Sequence, residues 1–232
     1  MSTTRHHQLS TAKAVPDHPR AARSAGWLGA RAGVAAPVCF AVGLAATTWA
    51  EWDYLKSLGF SLTDHGESAW PSGMAQGPVG WAQIVNYALY GILFLVLVRG
   101  LIPELPRRRS RRWAGTLLTL SGVGWLLVAF PEDGPPFGDP TTWAGVAHGI
   151  GFTALVLFGT SGMVATAVAL RGDERWPGAS LVSALAAVAV FVFLVVLVFA
   201  LEVATTVGIY GFFAVHMAWV AALALQLRRV AN

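Results

Sequence analysis

The sequence predicts an all-α integral membrane protein, a bundle of six transmembrane helices with both termini in the cytoplasm. Three observations carry this prediction: an apolar composition, six long apolar runs, and a one-sided distribution of basic residues. The chain has 232 residues, of which 55% are hydrophobic and only 12% are charged. Soluble domains of this size carry about 25% charged residues, so we expect the bilayer to be the main solvent.

The apolar runs define the six predicted helices, since each is long enough to cross about 30 Å of hydrocarbon. None of them alternates as a membrane β-strand would. They cover residues 32–49, 78–102, 111–130, 144–170, 179–202 and 207–227. A signal peptide is the alternative for the first run, but five further runs favour a retained helix. Residues 1–26 are basic and polar and are predicted to be a disordered cytoplasmic tail, followed by one domain at 27–230.

The basic residues fix the predicted orientation. If the N-terminus is cytoplasmic, every Lys and Arg except Lys56 falls on the cytoplasmic side, as the positive-inside rule describes. We therefore predict a multi-pass protein of the cell membrane. The run "RRRSRR" at 107–112 is interpreted as a topology determinant, with binding of lipid headgroups as the alternative. The expected partners are membrane lipids, and no nucleic-acid partner is predicted; the sequence identifies no partner protein.

The predicted outer side collects acids and aromatic residues. Its connections lie at about 50–77, 131–143 and 203–206, and the first is too long for a simple connector. We expect that connection to contain a short interfacial helix or a re-entrant turn. Tryptophans lie near the same boundary, as an aromatic belt would: Trp49, Trp52, Trp70, Trp81 and Trp143.

Ionisable residues inside or beside the predicted spans are the candidates for chemistry. His148 and His216 lie within the fourth and sixth spans, and Glu202 ends the fifth. Such groups face the bundle interior or a cavity by default. With Asp133 of the second outer loop, His148 and Glu202 form the candidate acid–base set. The plainer alternatives are a helix-to-helix hydrogen bond for each histidine, a solvated turn for Asp133 and headgroup contact for Glu202.

Several kinds of site are excluded by what the sequence lacks. Cys39 is the only cysteine, which rules out an intramolecular disulfide and a cysteine-rich metal site. There is no HExxH, GxSxG or phosphate-binding glycine loop. We therefore predict neither a metal nor a cofactor.

Three stretches carry a family resemblance. "FPEDGPPFGDPTTWAGVAHGIGF" starts at Phe130, "LGFSLTDHG" follows the first span, and "VGIYGF" opens the last. Together they resemble the bacterial and archaeal membrane proteins grouped as domain of unknown function 998 (DUF998). The resemblance implies that the family's Phe-Pro-x-Asp loop and helix-borne histidine correspond to Phe130, Pro131, Asp133 and His148. It also implies that Asp64 is the acid of the first loop. The candidate ligand-binding residues are Asp64, its neighbour His65, Phe130, Pro131 and the deeper His216.

The resemblance names no reaction, and four functions stay open. The first is an extracytoplasmic-side cavity for a lipid, isoprenoid or other amphipathic ligand. The second is a membrane-embedded enzyme that uses carboxylate and histidine acid–base chemistry, for example in prenyl cyclisation or lipid hydrolysis. The third is a haem protein with His148 and His216 as axial ligands. The fourth is an assembly protein whose first outer loop docks a partner.

Overall fold

The fold is known from a computed structural model, which describes residues 18–59, 71–133, 141–194 and 205–231. These ranges are helical and contain no β-strand. The helices are α1 His18–Ala50, α2 Trp52–Ser57, α3 Trp81–Leu101, α4 Arg108–Val128, α5 Trp143–Leu170, α6 Ala179–Val190 and α7 Thr205–Ala231. Two short 3-10 helices, Gly73–Gln76 and Ile102–Glu104, flank α3.

Four segments are long and apolar enough to cross a membrane: Ser24–Ala50, Trp81–Glu104, Trp143–Leu170 and Gly208–Ala231. They lie in α1, α3, α5 and α7. Helix α4 falls short of the same criterion because arginines fill its first turns and glycine, serine and threonine interrupt its apolar part. Helix α6 is apolar from Ala179 to Leu194 but too short over the described residues.

The first helix differs from its prediction. It begins at His18, inside the segment 1–26 that the sequence predicts to be disordered. Its early residues "PRAARSAG" are too polar for the bilayer but rich in alanine, which has the highest helix propensity. Helix α1 therefore begins well before the apolar run starts at residue 32. The short helix expected in the first outer connection is present as α2.

The six helices other than α2 form a closed ring in chain order. Each packs on the next, and α7 returns to pack on α1. Aromatic side chains from α1, α3, α4 and α7 fill the centre, among them Phe40, Tyr90, Trp125 and Phe213. Their ring centroids lie 4.5–5.6 Å apart, within the range of favourable aromatic pairs.

Glycines allow α4 and α5 to pack closely together. A Cβ atom placed on Gly151 of α5 would lie 2.8 Å from Gly124 O and 2.6 Å from Val128 N of α4. Only glycine permits this approach, which is typical of membrane helices that pack through small residues. Gly159 and Gly162 of "GTSG" likewise face Ser121 and Leu118, so α4 and α5 are joined along a seam of small residues.

The bundle has two chemically different ends. We call one the acidic end; it carries Glu51, Asp53, Glu132 and Asp133. We call the other the basic end; it carries Arg107–Arg112, Arg171, Arg175, Arg228 and Arg229.

Exposed tryptophans mark both ends of α1, Trp27 near the basic end and Trp49 near the acidic end. They are separated by about 33 Å at 1.5 Å per residue, close to the thickness of the hydrocarbon core. Trp81 and Trp143 are also exposed at the acidic end. This is the arrangement of two interfacial aromatic belts.

Candidate functional site

Asp133 fixes the beginning of α5. Its Oδ2 accepts hydrogen bonds from the backbone N–H groups of Thr141 (2.6 Å) and Thr142 (2.7 Å), and its Oδ1 accepts one from the Thr142 hydroxyl. Thr142 in turn caps the helix by accepting from Gly145 N at 3.2 Å. The hydrogen bonds from Thr142, joined by that from Thr141, lower the pKa of Asp133. This carboxylate is therefore ionised and engaged at neutral pH.

His148 ties the same loop to α5. The side chain is buried, and its Nδ1 lies 2.7 Å from the Phe130 carbonyl oxygen. Because a carbonyl can only accept, this contact places a proton on Nδ1. The Phe130 ring packs edge-on against Trp143 with centroids 5.0 Å apart. The residues that match the family motif thus connect the end of α4 to the beginning of α5. We call this set the clasp: Phe130, Pro131, Asp133 and His148.

Glu132, inside the same motif, faces the first connection instead. Its Oε1 accepts from the Ser72 hydroxyl at 3.2 Å, and its backbone carbonyl accepts from Gln76 Nε2 at 2.7 Å. Burial raises the pKa of Glu132 to about 7, against a smaller lowering by Ser72. Glu132 can therefore gain or lose a proton near neutral pH, which Asp133 cannot.

Glu51 is another acid at this end, and it is more deeply buried than Glu132. It is 1% exposed, and its Oε1 accepts from Val79 N at 2.5 Å. Among the residues that the structure describes, no group donates to its Oε2. Burial, then the nearby charges of Glu51 and Glu132, raise the pKa of the Tyr54 phenol. We call Glu51, Tyr54, Ser72 and Glu132 the acidic cluster.

Sequence reasoning did not select either glutamate of this cluster. Glu51 directly follows an apolar run and has the pattern of an ordinary interfacial acid. Glu132 occupies the variable position of the Phe-Pro-x-Asp motif. The only available signal was their placement beside apolar segments, which does not tell burial from exposure.

His216 lies at the centre of the bundle. It is 1% exposed and is surrounded by aromatic rings, with centroid distances of 5.5 Å to Phe94 and Trp125 and 6.0 Å to Tyr90. In the described part of the chain, neither its Nε2 nor the Tyr90 hydroxyl has a hydrogen-bond partner. His148 and His216 thus have separate surroundings, one in the clasp and one in the aromatic core.

Three of the predicted site residues cannot be placed. Asp64, His65 and Glu202 lie outside the described residues, and their roles stay predictions. Within the described ranges, no group of three or more His, Cys, Asp or Glu side chains could hold a metal ion.

A cleft of about 840 Å³ opens between α1 and α7, where the ring closes. This volume is within the usual range of small-molecule sites. Its polar edge contains Asp53, Thr48 and Tyr210. Trp49 and Trp52 flank that edge, and the walls are apolar: Ala41, Leu44, Ala45, Phe213, Ala214 and Met217.

The cleft and the acidic cluster are connected through side chains that contact α1. The Thr48 hydroxyl lies 3.6 Å from Met74 Sδ, and Met74 belongs to the 3-10 helix that follows Ser72. Ser72 is the partner of Glu132. The acidic end therefore combines an apolar cleft with two neighbouring acids, the buried Glu51 and the partly buried Glu132.

The ring of long apolar helices and its two aromatic belts define a multi-pass helical membrane protein. A family model described as "Protein of unknown function (DUF998)" matches residues 34–227, and the chain belongs to this family. A search of the curated proteins and a search of the solved structures each found no match.

Proposed function

We propose that this protein binds a lipid, isoprenoid or other amphipathic molecule in the cleft between α1 and α7. In this proposal the six helices of the ring all span the cell membrane and both termini are cytoplasmic. The cleft opens in the extracytoplasmic half of the membrane. The distribution of Lys and Arg supports the orientation, since among the residues that the structure describes only Lys56 lies at the acidic end.

The observation that carries the proposal is the polarity gradient along the cleft. Leu44, Phe213 and Met217 line its deeper part, at the depth of lipid tails. Thr48, Tyr210 and Asp53 lie toward the acidic end, where a headgroup would meet water. An apolar site with a few convergent polar groups is the usual form of a ligand site, and this gradient fits an amphipathic molecule better than a wholly apolar one.

Photolabelling with diazirine-bearing phospholipid and polyprenyl probes tests the proposal. We expect crosslinks in the α1 and α7 segments that line the cleft. Ala45→Phe should fill the cleft and reduce this labelling severalfold. Its neighbour Ala46 is exposed but does not line the cleft, so Ala46→Phe is the matched control. Labelling spread evenly over all helices, or reduced equally by both variants, would reject the proposal.

A second candidate is a membrane-embedded enzyme, and Glu132 is the observation that favours it. A carboxyl with a pKa near 7 can act as general acid or base at working pH. Prenyl cyclisation begun by a protonated carboxyl and hydrolysis of a lipid both use such a group. Its position beside the cleft would bring it near an amphipathic substrate.

Substitutions at two adjacent acids distinguish the enzyme hypothesis from the binding hypothesis. Purified protein is incubated with polyprenyl or phospholipid substrates, and products are followed by mass spectrometry. We expect Glu132→Gln to abolish turnover, while Asp133→Asn retains it in the folded fraction. Loss only in Asp133→Asn would favour the acid predicted from the sequence. No product with any substrate would leave binding as the better proposal.

A further inference from the structure

A second groove lies at the basic end, remote from the cleft. It runs between α4 and the 3-10 helix that follows α3, and its volume is about 440 Å³. Two guanidinium groups lie at the rim of the groove, and hydroxyl and aliphatic side chains line the rest of it. The residues that matter here are Ile102, Arg111, Arg112, Thr116, Thr119 and Leu120.

The spacing of these residues along α4 places them in a strip on one side of the helix. Arg112, Thr116 and Thr119 are four and then three positions apart and so share one helix face. From Arg112 to Leu120 the strip extends about 12 Å at 1.5 Å per residue. Leu120 is 40% exposed, and Trp113, beside the arginines, is 59% exposed. A tryptophan at this position marks the headgroup level, so the strip runs from headgroups into hydrocarbon.

The charge of the groove is uncompensated. Within the described residues no carboxylate lies within 4 Å of Arg111 or Arg112. The acid of the adjacent 3-10 helix, Glu104, pairs with Arg175 instead, at 3.7 Å. Two neighbouring guanidinium groups without a carboxylate partner are suited to an anion, and guanidinium binds phosphate through paired hydrogen bonds.

We propose that this groove binds one anionic phospholipid. Its phosphate lies between Arg111 and Arg112, and its acyl chain follows Thr116, Thr119 and Leu120. Basic pockets between membrane helices bind anionic headgroups in this way. The inference is independent of the cleft between α1 and α7 and of the ligand proposed there.

The test is native mass spectrometry of protein from nanodiscs that mix phosphatidylglycerol and phosphatidylcholine. Wild type should retain one phosphatidylglycerol in preference to phosphatidylcholine. At about 1 kcal/mol per arginine, Arg111→Gln with Arg112→Gln should weaken the preference about 30-fold, taking 1.4 kcal/mol as tenfold. Arg228→Gln with Arg229→Gln removes the same charge from the same end, where α7 packs on α1 and α6, and should leave the preference intact.

Two further variants guard against loss of orientation or folding. Arg111→Lys with Arg112→Lys keeps the charge that orients the helix but loses the planar fork, and should give an intermediate preference. Thr119→Trp fills the groove without changing charge and should displace the lipid. Equal losses in the two double glutamine variants would mean a general surface effect and overturn the proposal. So would retention of the lipid by Thr119→Trp, or no preference in wild type.

Discussion

Two adjacent acids, Glu132 and Asp133, show how little of a residue's chemistry is set by its position in a motif. Asp133 accepts three hydrogen bonds from Thr141 and Thr142, which lower its pKa. Glu132 is partly buried beside Ser72, and its pKa is raised to about 7. One residue therefore holds a helix start, while its neighbour can exchange a proton near neutral pH.

We expect the stability of the protein to fall as the pH rises from about 4.5 to about 7, because of Glu132. Its folded pKa lies above its reference value of 4.5, so folding favours the protonated carboxyl. The stabilisation is complete below about pH 4.5 and is lost above about pH 7. The loss amounts to at most about 3 kcal/mol at 1.36 kcal/mol per pKa unit. Thermal unfolding in detergent should show a flatter pH profile for Glu132→Gln; identical profiles would contradict the burial of this carboxyl.

We expect His148→Ala to destabilise the protein by about 1–3 kcal/mol, because it leaves the Phe130 carbonyl without its donor. His148→Gln retains an amide donor and should lose less. Thermal unfolding of both variants measures the difference. Unchanged stability, combined with loss of a bound ligand or of turnover, would show that His148 acts in a site and not in the clasp.

The sequence placed Asp133 and His148 in one region, and the structure brings both into the clasp. The sequence could not show that Glu132 instead faces Ser72 and Gln76 of the first connection. That direction is set by Ser72 and Gln76 of a connection about sixty positions earlier, and no local pattern records such a contact. Whether the predicted acid–base set has a chemical role stays a prediction.

At the scale of elements, hydropathy locates the cores of the helices well. Helix α5 was predicted at 144–170 and spans Trp143–Leu170, and α3 was predicted at 78–102 and spans Trp81–Leu101. The beginning of α1 was missed because hydropathy reports contact with lipid, whereas a helix continues wherever its residues favour it. The small-residue seam between α4 and α5 was not predicted, because single glycines inside an apolar run do not show which helix they face.

Two glycines of α5 provide a matched test of that seam. We expect Gly151→Ala to destabilise the protein by about 1–3 kcal/mol, because its methyl group would overlap the α4 backbone. A Cβ on Gly149 would meet nothing within 4 Å, so Gly149→Ala should be neutral or slightly stabilising. Thermal unfolding of both variants in detergent measures the contrast. Equal effects would mean that α4 and α5 do not approach as closely as described.

At the scale of the whole molecule, the sequence predicted a helical bundle but not its closure. That α7 returns to α1 is a long-range contact between the two ends of the chain, which neither periodicity nor charge reports. The proposed ligand cleft lies at this junction. Most of its wall residues are small or aliphatic, so nothing in the sequence distinguishes them from the rest of an apolar span.

The proposed orientation can be tested by labelling single cysteines. Cys39 is the only native cysteine, and Cys39→Ala provides a background without thiols. We expect a membrane-impermeant maleimide to label Ser57→Cys of α2 in intact cells. Glu174→Cys, in the exposed turn at the basic end, should react only after permeabilisation. The reverse pattern would contradict cytoplasmic termini and place the cleft on the other half of the membrane.

The central claim is that the cleft between α1 and α7 holds an amphipathic molecule, and native mass spectrometry tests it most directly. The protein is released gently from its own membrane as wild type, Ala45→Phe and Ala46→Phe. We expect a discrete bound mass in wild type and Ala46→Phe, and its loss in Ala45→Phe. That mass would identify the chemical class of the ligand. The same bound mass in all three proteins, or none in any of them, would contradict the claim.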